Sequence, residues 1–206
     1  MGNKTKQKLL ESALDIFAEE GFKSATVQQI VGRAGANVSA INYHFGNKAN
    51  FYAEAVVHHI KKTLPNASLE SKSENSPEEQ LRTFISQRIT IFTKKKPPRF
   101  IEKIMIQEMA NPGPVMDKMV EHVIRPSFKR LSEIMTNLLP EDCSEAEVRR
   151  HCFSVVGQCN FYLHSQPILS RLSPDMELDE EEAAQLVEHI TSVCLAAVKA
   201  EHDKRL

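Results

Sequence analysis

Apolar residues recur every three or four positions along almost the whole chain, and the stretches they mark are bounded by helix caps and helix stops. No period-two alternation is long enough for a strand, and there is no Asn-Gly hairpin turn. That punctuation restricts the chain to an all-α fold. The first helix is expected from Thr5 to Glu20, with Leu9, Leu10, Ala13, Leu14 and Phe17 on one stripe. Gly21 reads as a left-handed stop, with Phe22 placed to pack back on the last turn.

A second helix opens at Thr26. Thr26-Val27-Gln28-Gln29 fits a capping box, in which the Thr hydroxyl accepts from the backbone three residues on and Gln29 reaches back. Ile30, Val31 and Ala34 form its apolar side, and Gly35 breaks it. Asn37 can cap a short third helix with Ile41 and Phe45 on one face, ended by Gly46. Asn47 caps a fourth, which carries Phe51, Ala55 and Ile60 towards Pro65. Residues 65–76 are polar and turn-rich and read as a connector.

Ser76-Pro77-Glu78-Glu79 announces the next helix, continued by Leu81, Phe84, Ile85, Ile89 and Phe92 up to the Lys94–Pro98 stop. A further helix carries Phe100 to Met109. Another is expected from Val115 to Leu139, with Pro126 predicting a kink or break inside it. Two last long helices cover about 144–165 and 179–202, separated by a Pro-containing loop.

The chain of 206 residues is long enough for a sizeable core, and 41% apolar residues argue against wholesale disorder. No apolar stretch approaches the roughly 20 residues of a bilayer span. The N-terminus has no signal-peptide core, and Lys6 stands where a myristoylation motif wants Ser or Thr, so a cytoplasmic protein is expected. Net charge is −1, but residues 1–62 hold eight Lys/Arg against five Asp/Glu. A mildly basic module on an acidic body permits nucleic-acid binding at one end; a solvated charged face gives the same count.

Cys143, Cys152, Cys159 and Cys194 show no C-x-x-C spacing and read as free thiols. Cys152 and Cys159 share a helical face near His151 and His164, which leaves a metal or sensing role beside the plainer one of buried thiols. The other histidines are scattered. No H-E-x-x-H, G-x-S-x-G, Walker loop or dinucleotide glycine motif is present, so neither an enzyme nor a cofactor is expected.

Residues 26–45 carry the functional signal. A capped helix, a glycine turn and a short second helix form a helix-turn-helix signature, whose second helix enters the DNA major groove. Val38, Ser39, Asn42 and Tyr43 fall on the outward face of the third helix. Ser and Asn can bond base edges, and Val can touch a thymine methyl. Tyr43 and His44 can reach phosphates, and Lys48 adds a cation near a helix start. Read from residues alone, the same helices also suit an all-α interaction protein that contacts another protein.

The stretch from Lys6 to Val56 resembles the DNA-binding domain of the TetR/AcrR transcription regulators. The landmarks are Phe17, Glu20-Gly21-Phe22, Thr26, Ile30, Ala34-Gly35, Tyr43-His44-Phe45 and Lys48. Glu108 to Pro114, Ile124-Arg125-Pro126 and Cys152 to Pro167 are similar to the CecR-like branch. The resemblance implies a DNA-binding domain at 1–62, joined by a long helix to a helical effector-binding and dimerisation domain at 63–206. It implies a homodimeric repressor on a palindromic operator, released by a small molecule. Carried over by position, the DNA contacts are Thr26, Gln28, Asn37, Val38, Ser39, Ala40, Asn42, Tyr43, His44 and Lys48. Many members have an aromatic where this chain has Asn42.

For the effector pocket, Phe84, Met105, Met109, Phe128, Gln158, Phe161 and His164 are the candidates, although the methionines read more readily as plain core. For the dimer interface, Val155, Val156, Cys159 and Leu163 form one stripe and Ile190, Val193, Cys194 and Ala197 another. Both stripes are also readable as intramolecular core.

Overall fold

The computed structural model describes residues 2–63, 75–89 and 99–205, and among them every element is helical. α1 (Gly2–Ser24) runs through Gly21, where a stop was expected. Glycine inside a helix costs only roughly 1 kcal/mol. The helix ends instead where Thr26 must take an extended backbone, φ −106° and ψ 149°, to cap the next one. The Phe22 side chain lies outside the described residues.

α2 (Val27–Ala34) opens on the reciprocal cap that the sequence announces. The Gln29 N–H donates to Thr26 Oγ1 at 3.2 Å, and the Thr26 N–H donates to Gln29 Oε1 at 2.8 Å. Gly35 closes it at φ 62°, a left-handed conformation that favours glycine. Asn37 Oδ1 accepts from the Ser39 N–H at 3.1 Å and opens α3 (Val38–Phe45), which Gly46 ends at φ 76°. Asn47 Oδ1 caps α4 (Lys48–Thr63) through the Asn50 N–H.

α5 (Pro77–Ile89) starts from the Ser76 cap. Most of the 65–76 connector, Phe92 and the Lys94–Pro98 stop lie outside the described residues. α6 (Arg99–Ala110) follows. The single helix expected over 115–139 is divided into α7 (Pro114–Met119), a π-helical turn at Val120–Ile124, and α8 (Arg125–Leu138). Pro126 has no N–H, and its ring crowds the carbonyl four residues back; the wider turn lies just ahead of it. α9 (Glu145–His164) starts from a Ser144–Glu147 capping box. The loop expected after it contains α10 (Gln166–Leu172), with Pro167 in the first turn, where a missing N–H costs no helical bond. α11 (Glu180–Asp203) is capped by Asp179 and places Glu180, Glu181 and Glu182 at the positive end of its dipole. No helix among the described residues is long and apolar enough to cross a membrane.

The described residues form two compact units. One comprises 1–65 with 98–125, the other 66–97 with 126–206. The chain is thus cut differently from the expected functional division at 62/63, because α6, α7 and the π turn fold with the N-terminal helices. In the first unit Leu9, Ala13 and Phe17 of α1, Ile30, Ile41 and Phe51 are sealed from solvent, and Ile104, Val115 and Met119 join the same core. The Glu54 carboxylate pairs with Lys6 at 2.9 Å and Lys118 at 3.4 Å. The Glu108 carboxylate accepts from the N–H groups of Gly113 and Met116, at 2.9 and 3.0 Å, and so holds the Asn111–Pro114 turn. In the second unit Leu81, Ile85 and Ile89 of α5 share a core with Leu131 and Met135, with Cys152, Val155 and Cys159, and with Ile190 and Cys194.

Candidate nucleic-acid interface

α3 is held from three sides. Ile41 and Phe45 are 1% and 5% exposed. The Phe45 ring lies 4.5 Å from Phe51 of α4, and Phe51 and Tyr52 both meet Phe17 of α1, at 6.4 and 4.7 Å. Such aromatic pairs add about 0.5–1.5 kcal/mol each beyond their burial. Lys6 sits 5.4 Å above the Phe45 ring. α2 is clamped to α1 at both ends: Gln29 Nε2 donates to the Glu20 carboxylate at 2.8 and 3.0 Å, and Arg33 forms a two-toothed pair with Glu19 at 3.2 and 3.1 Å. Sequence reasoning misses Glu19 and Glu20 as clamps; two acids at the end of a basic module's first helix are the available signal.

With Ile41 and Phe45 inside, the opposite face of α3 points to solvent. Val38 is 40% exposed and Tyr43 84%, and Ser39 and Asn42 are also exposed. Apart from an edge contact with the His44 ring, the Tyr43 ring is open to solvent. Ala40 is half-buried against the core and has less reach than its neighbours. His44 is half-buried, with its ring 4.9 Å from Tyr43 and 6.0 Å from Phe45.

Thr26, Gln28 and Asn37 are at the starts of α2 and α3, and Lys48 is half-buried at the start of α4. The Thr26 hydroxyl is already committed, since it donates to Gln29 Oε1 at 2.6 Å. What this corner offers an anion is chiefly the backbone N–H groups of the first turn of α2.

The other candidates are distributed over both units. Phe84 is buried in the second unit's core. Phe128 is half-buried with its ring 5.3 Å from Phe153, while Phe161 and His164 are exposed on α9. Met109 is 71% exposed in the first unit, and the Met105 side chain lies outside the described residues. A cavity of about 420 Å³ between α9 and α11 is lined by His151, Ser154, Gln158, Val193, Cys194 and Ala197, among others. Of the expected pocket residues it takes in only Gln158.

The interface stripes divide. Val155, Cys159, Leu163, Ile190 and Cys194 are buried within the protomer. Val193 and Ala197 are exposed and Val156 is half-buried. A helix with a core on one side and a partner on the other is apolar on both, and periodicity does not separate the two faces. Burial pushes the Cys152 and Cys159 thiols up to about 11 and raises Cys194 as well. These are neutral thiols that pack as small apolar groups, not reactive thiolates. Among the described residues no three His, Cys, Asp or Glu side chains could hold a metal ion.

Residues 9–55 match the model of the tetR family of bacterial regulatory proteins. Residues 77–198 match that of the C-terminal domain of the HTH-type transcriptional dual regulator CecR. The chain belongs to the TetR family. Its C-terminal domain is of the CecR kind. Among curated proteins it is similar to the HTH-type transcriptional dual regulator CecR of Shigella flexneri, with 25% identity over 182 residues, 82% of this chain and 81% of that one.

Among solved structures it is similar to a putative transcriptional regulator from Pseudomonas aeruginosa PAO1. That likeness has a TM-score of 0.69 and 17% identity over 93% of this chain and 90% of the other. It is also similar to the transcriptional regulator FadR from Bacillus subtilis in complex with stearoyl-CoA. There the TM-score is 0.64 at 15% identity, over 92% of this chain and 97% of the other. At such identities these two likenesses speak for the fold alone. As a TetR-family member the chain is a DNA-binding transcription regulator and not an enzyme.

Proposed function

We propose that this TetR-family regulator is a cytoplasmic repressor that binds a palindromic operator as a homodimer and leaves it when a small molecule binds the part of the chain beyond residue 62. The observation that carries the reading is the bare face of α3, with Tyr43 84% exposed while Ile41 and Phe45 anchor its other side. In this reading Val38, Ser39 and Asn42 meet base edges, and Tyr43, His44, Lys48 and the first turn of α2 meet phosphates. Thr26 acts by capping that turn, and Gln28, Asn37 and Ala40 flank the contact.

A second copy docks on the α9 and α11 surface through Val156, Val193 and Ala197, and two helices from each copy make a four-helix bundle. The two recognition helices must then sit about 34–36 Å apart, or a multiple of that, to read successive major grooves. An effector acts through its different affinity for the DNA-competent and incompetent states. The stearoyl-CoA complex of the Bacillus FadR structure supports small-molecule control in this fold.

Fluorescence anisotropy with the DNA flanking the chain's own gene tests the reading. A site bound far more tightly than random DNA, with two protomers per site, is expected. Binding equal to that of random DNA overturns it. A reporter fused to the bound promoter then reads the sign of regulation: repression supports the proposal, and activation alone sinks the repressor role.

A further inference from the structure

Arg88 lies in the second unit, on the buried side of α5. It follows Phe84 by one helical turn, and Phe84, Ile85, Ile89, Leu131 and Cys159 all belong to that unit's core. Its guanidinium carbon is 5.2 Å from the centre of the Phe84 ring, and one Nη donates to Ser127 Oγ at 3.2 Å. Its Nε is sealed from solvent and has no hydrogen-bond partner. Among the described residues no carboxylate reaches it, and the stretch 90–98 that follows contains no Asp or Glu.

Other arginines differ. Arg33, Arg82, Arg125 and Arg205 stand on more open surface, and each meets an acidic side chain. A charge withdrawn from water without a counter-ion is among the costliest groups a core can hold. Burial lowers the Arg88 pKa, with only the Cys159 thiol acting the other way. Arginine nevertheless keeps its proton in proteins, so the cost is borne as charge. A methionine would fill the same apolar surroundings without that cost.

We propose that Arg88 is the anchor of the effector site and that the effector is an oxyanion, a carboxylate or a phosphate, carried on an apolar body. The unpaired Nε and an Nη form the fork that suits two oxygens, and Ser127 Oγ stands beside it. Phe84 supplies an aromatic wall for the apolar body. The anchor rests on the effector-response reading above and gives it a ligand class.

Calorimetric titration of the full-length protein with octanoate, octyl phosphate, octanol and octylamine tests it. One of the two anions is expected to bind well ahead of octanol and octylamine. Stronger octanoate binding names a carboxylate, and stronger octyl phosphate binding a phosphate. Arg88→Met is expected to weaken the anion by about ten- to a hundredfold, the range of a charge-assisted hydrogen bond. Without ligand, Arg88→Met should melt no lower than wild type. If Arg88→Met does not fold, Arg88→Gln gives the same comparison, and Arg88→Lys should keep part of the affinity.

Equal anion affinity in wild type and variant overturns the proposal. So does octanol binding as tightly as octanoate, or neither anion binding at millimolar concentration. Anion binding that depends on Arg88 but never releases DNA would keep the anchor and sink the effector reading. Release of DNA by a neutral or cationic compound, equally from wild type and from the Arg88→Met variant, would do the reverse.

Discussion

Phe45, the last residue of α3, packs its ring against that of Phe51 of α4, tilted by 39° with the centroids 4.5 Å apart. α3 is only two turns long and owes its position to this contact and to Ile41 rather than to its own stability. Phe45→Ala should therefore cost about 3–5 kcal/mol in chemical denaturation. Operator affinity should fall even at temperatures where the variant remains folded. Full affinity in the folded variant would show that α3 is fixed some other way.

On the exposed face the proposed DNA contacts divide the residues by role. Tyr43→Ala should weaken binding to operator and random DNA alike, as expected of a phosphate contact. Ser39→Ala or Asn42→Ala should change base preference by about 1–3 kcal/mol at one position of the site. A binding-site selection with each variant reads this directly. Uniform losses from all three would end the distinction.

Lys48 opens α4 beside the end of α3. Lys48→Ala should lower affinity and flatten the slope of log affinity against log salt by about one, for one phosphate fewer neutralised. An unchanged slope would leave Lys48 a structural role only.

The α9 and α11 surface yields a paired experiment. Val193 is exposed, so Val193→Glu should leave the melting temperature near wild type and shift light scattering from dimer to monomer. Cys159 is fully buried, so Cys159→Glu should unfold the protomer itself. A Val193→Glu protein that stays dimeric would place the interface elsewhere.

The cap of α9 carries a pH dependence. Hydrogen bonds from the Ser144 side chain and backbone, helped by Arg205, hold the Glu147 carboxyl down to about 2, against an ordinary value of 4.5. A depressed carboxyl contributes stability that is complete above its unfolded value and is lost as pH falls through the folded one. Wild type should therefore lose more melting temperature than Glu147→Gln between about pH 4.5 and 2. The difference is small, because the site is open to solvent. Parallel curves would remove Glu147 from the acid transition.

Local chemistry made much of this legible in the sequence. Thr26 with Gln29, Gly35, Asn37 and Gly46 each satisfy or release backbone groups within four residues, and each is found where the residue types put it. The inward pair Ile41 and Phe45 followed from spacing alone. Gly21 misled because a helix stop depends on what the next segment requires, here the extended Thr26. The apolar stripe at Val155, Cys159 and Cys194 was readable as interface or as core, since both demand the same residues, and these three are buried within the protomer. Arg88 was legible in principle, as a cation one turn from Phe84 on a stripe otherwise apolar, yet only the absence of a spatial partner makes it stand out. The membership of α6 and α7 in the first unit has no local signal at all, since it depends on pairing across more than fifty residues.

That last pairing bears on how regulators of this kind can be recombined. Glu54 takes one lysine from each side, Lys6 from α1 and Lys118 from α7, and Ile104, Val115 and Met119 complete the core that α1 to α4 begin. A chimera that grafts residues 1–63 onto the remainder of a relative would give Glu54 a foreign neighbour and set α4 against a surface it did not evolve with. Moving 1–63 together with 99–125 transplants an intact core, so the transferable cassette is discontinuous in sequence.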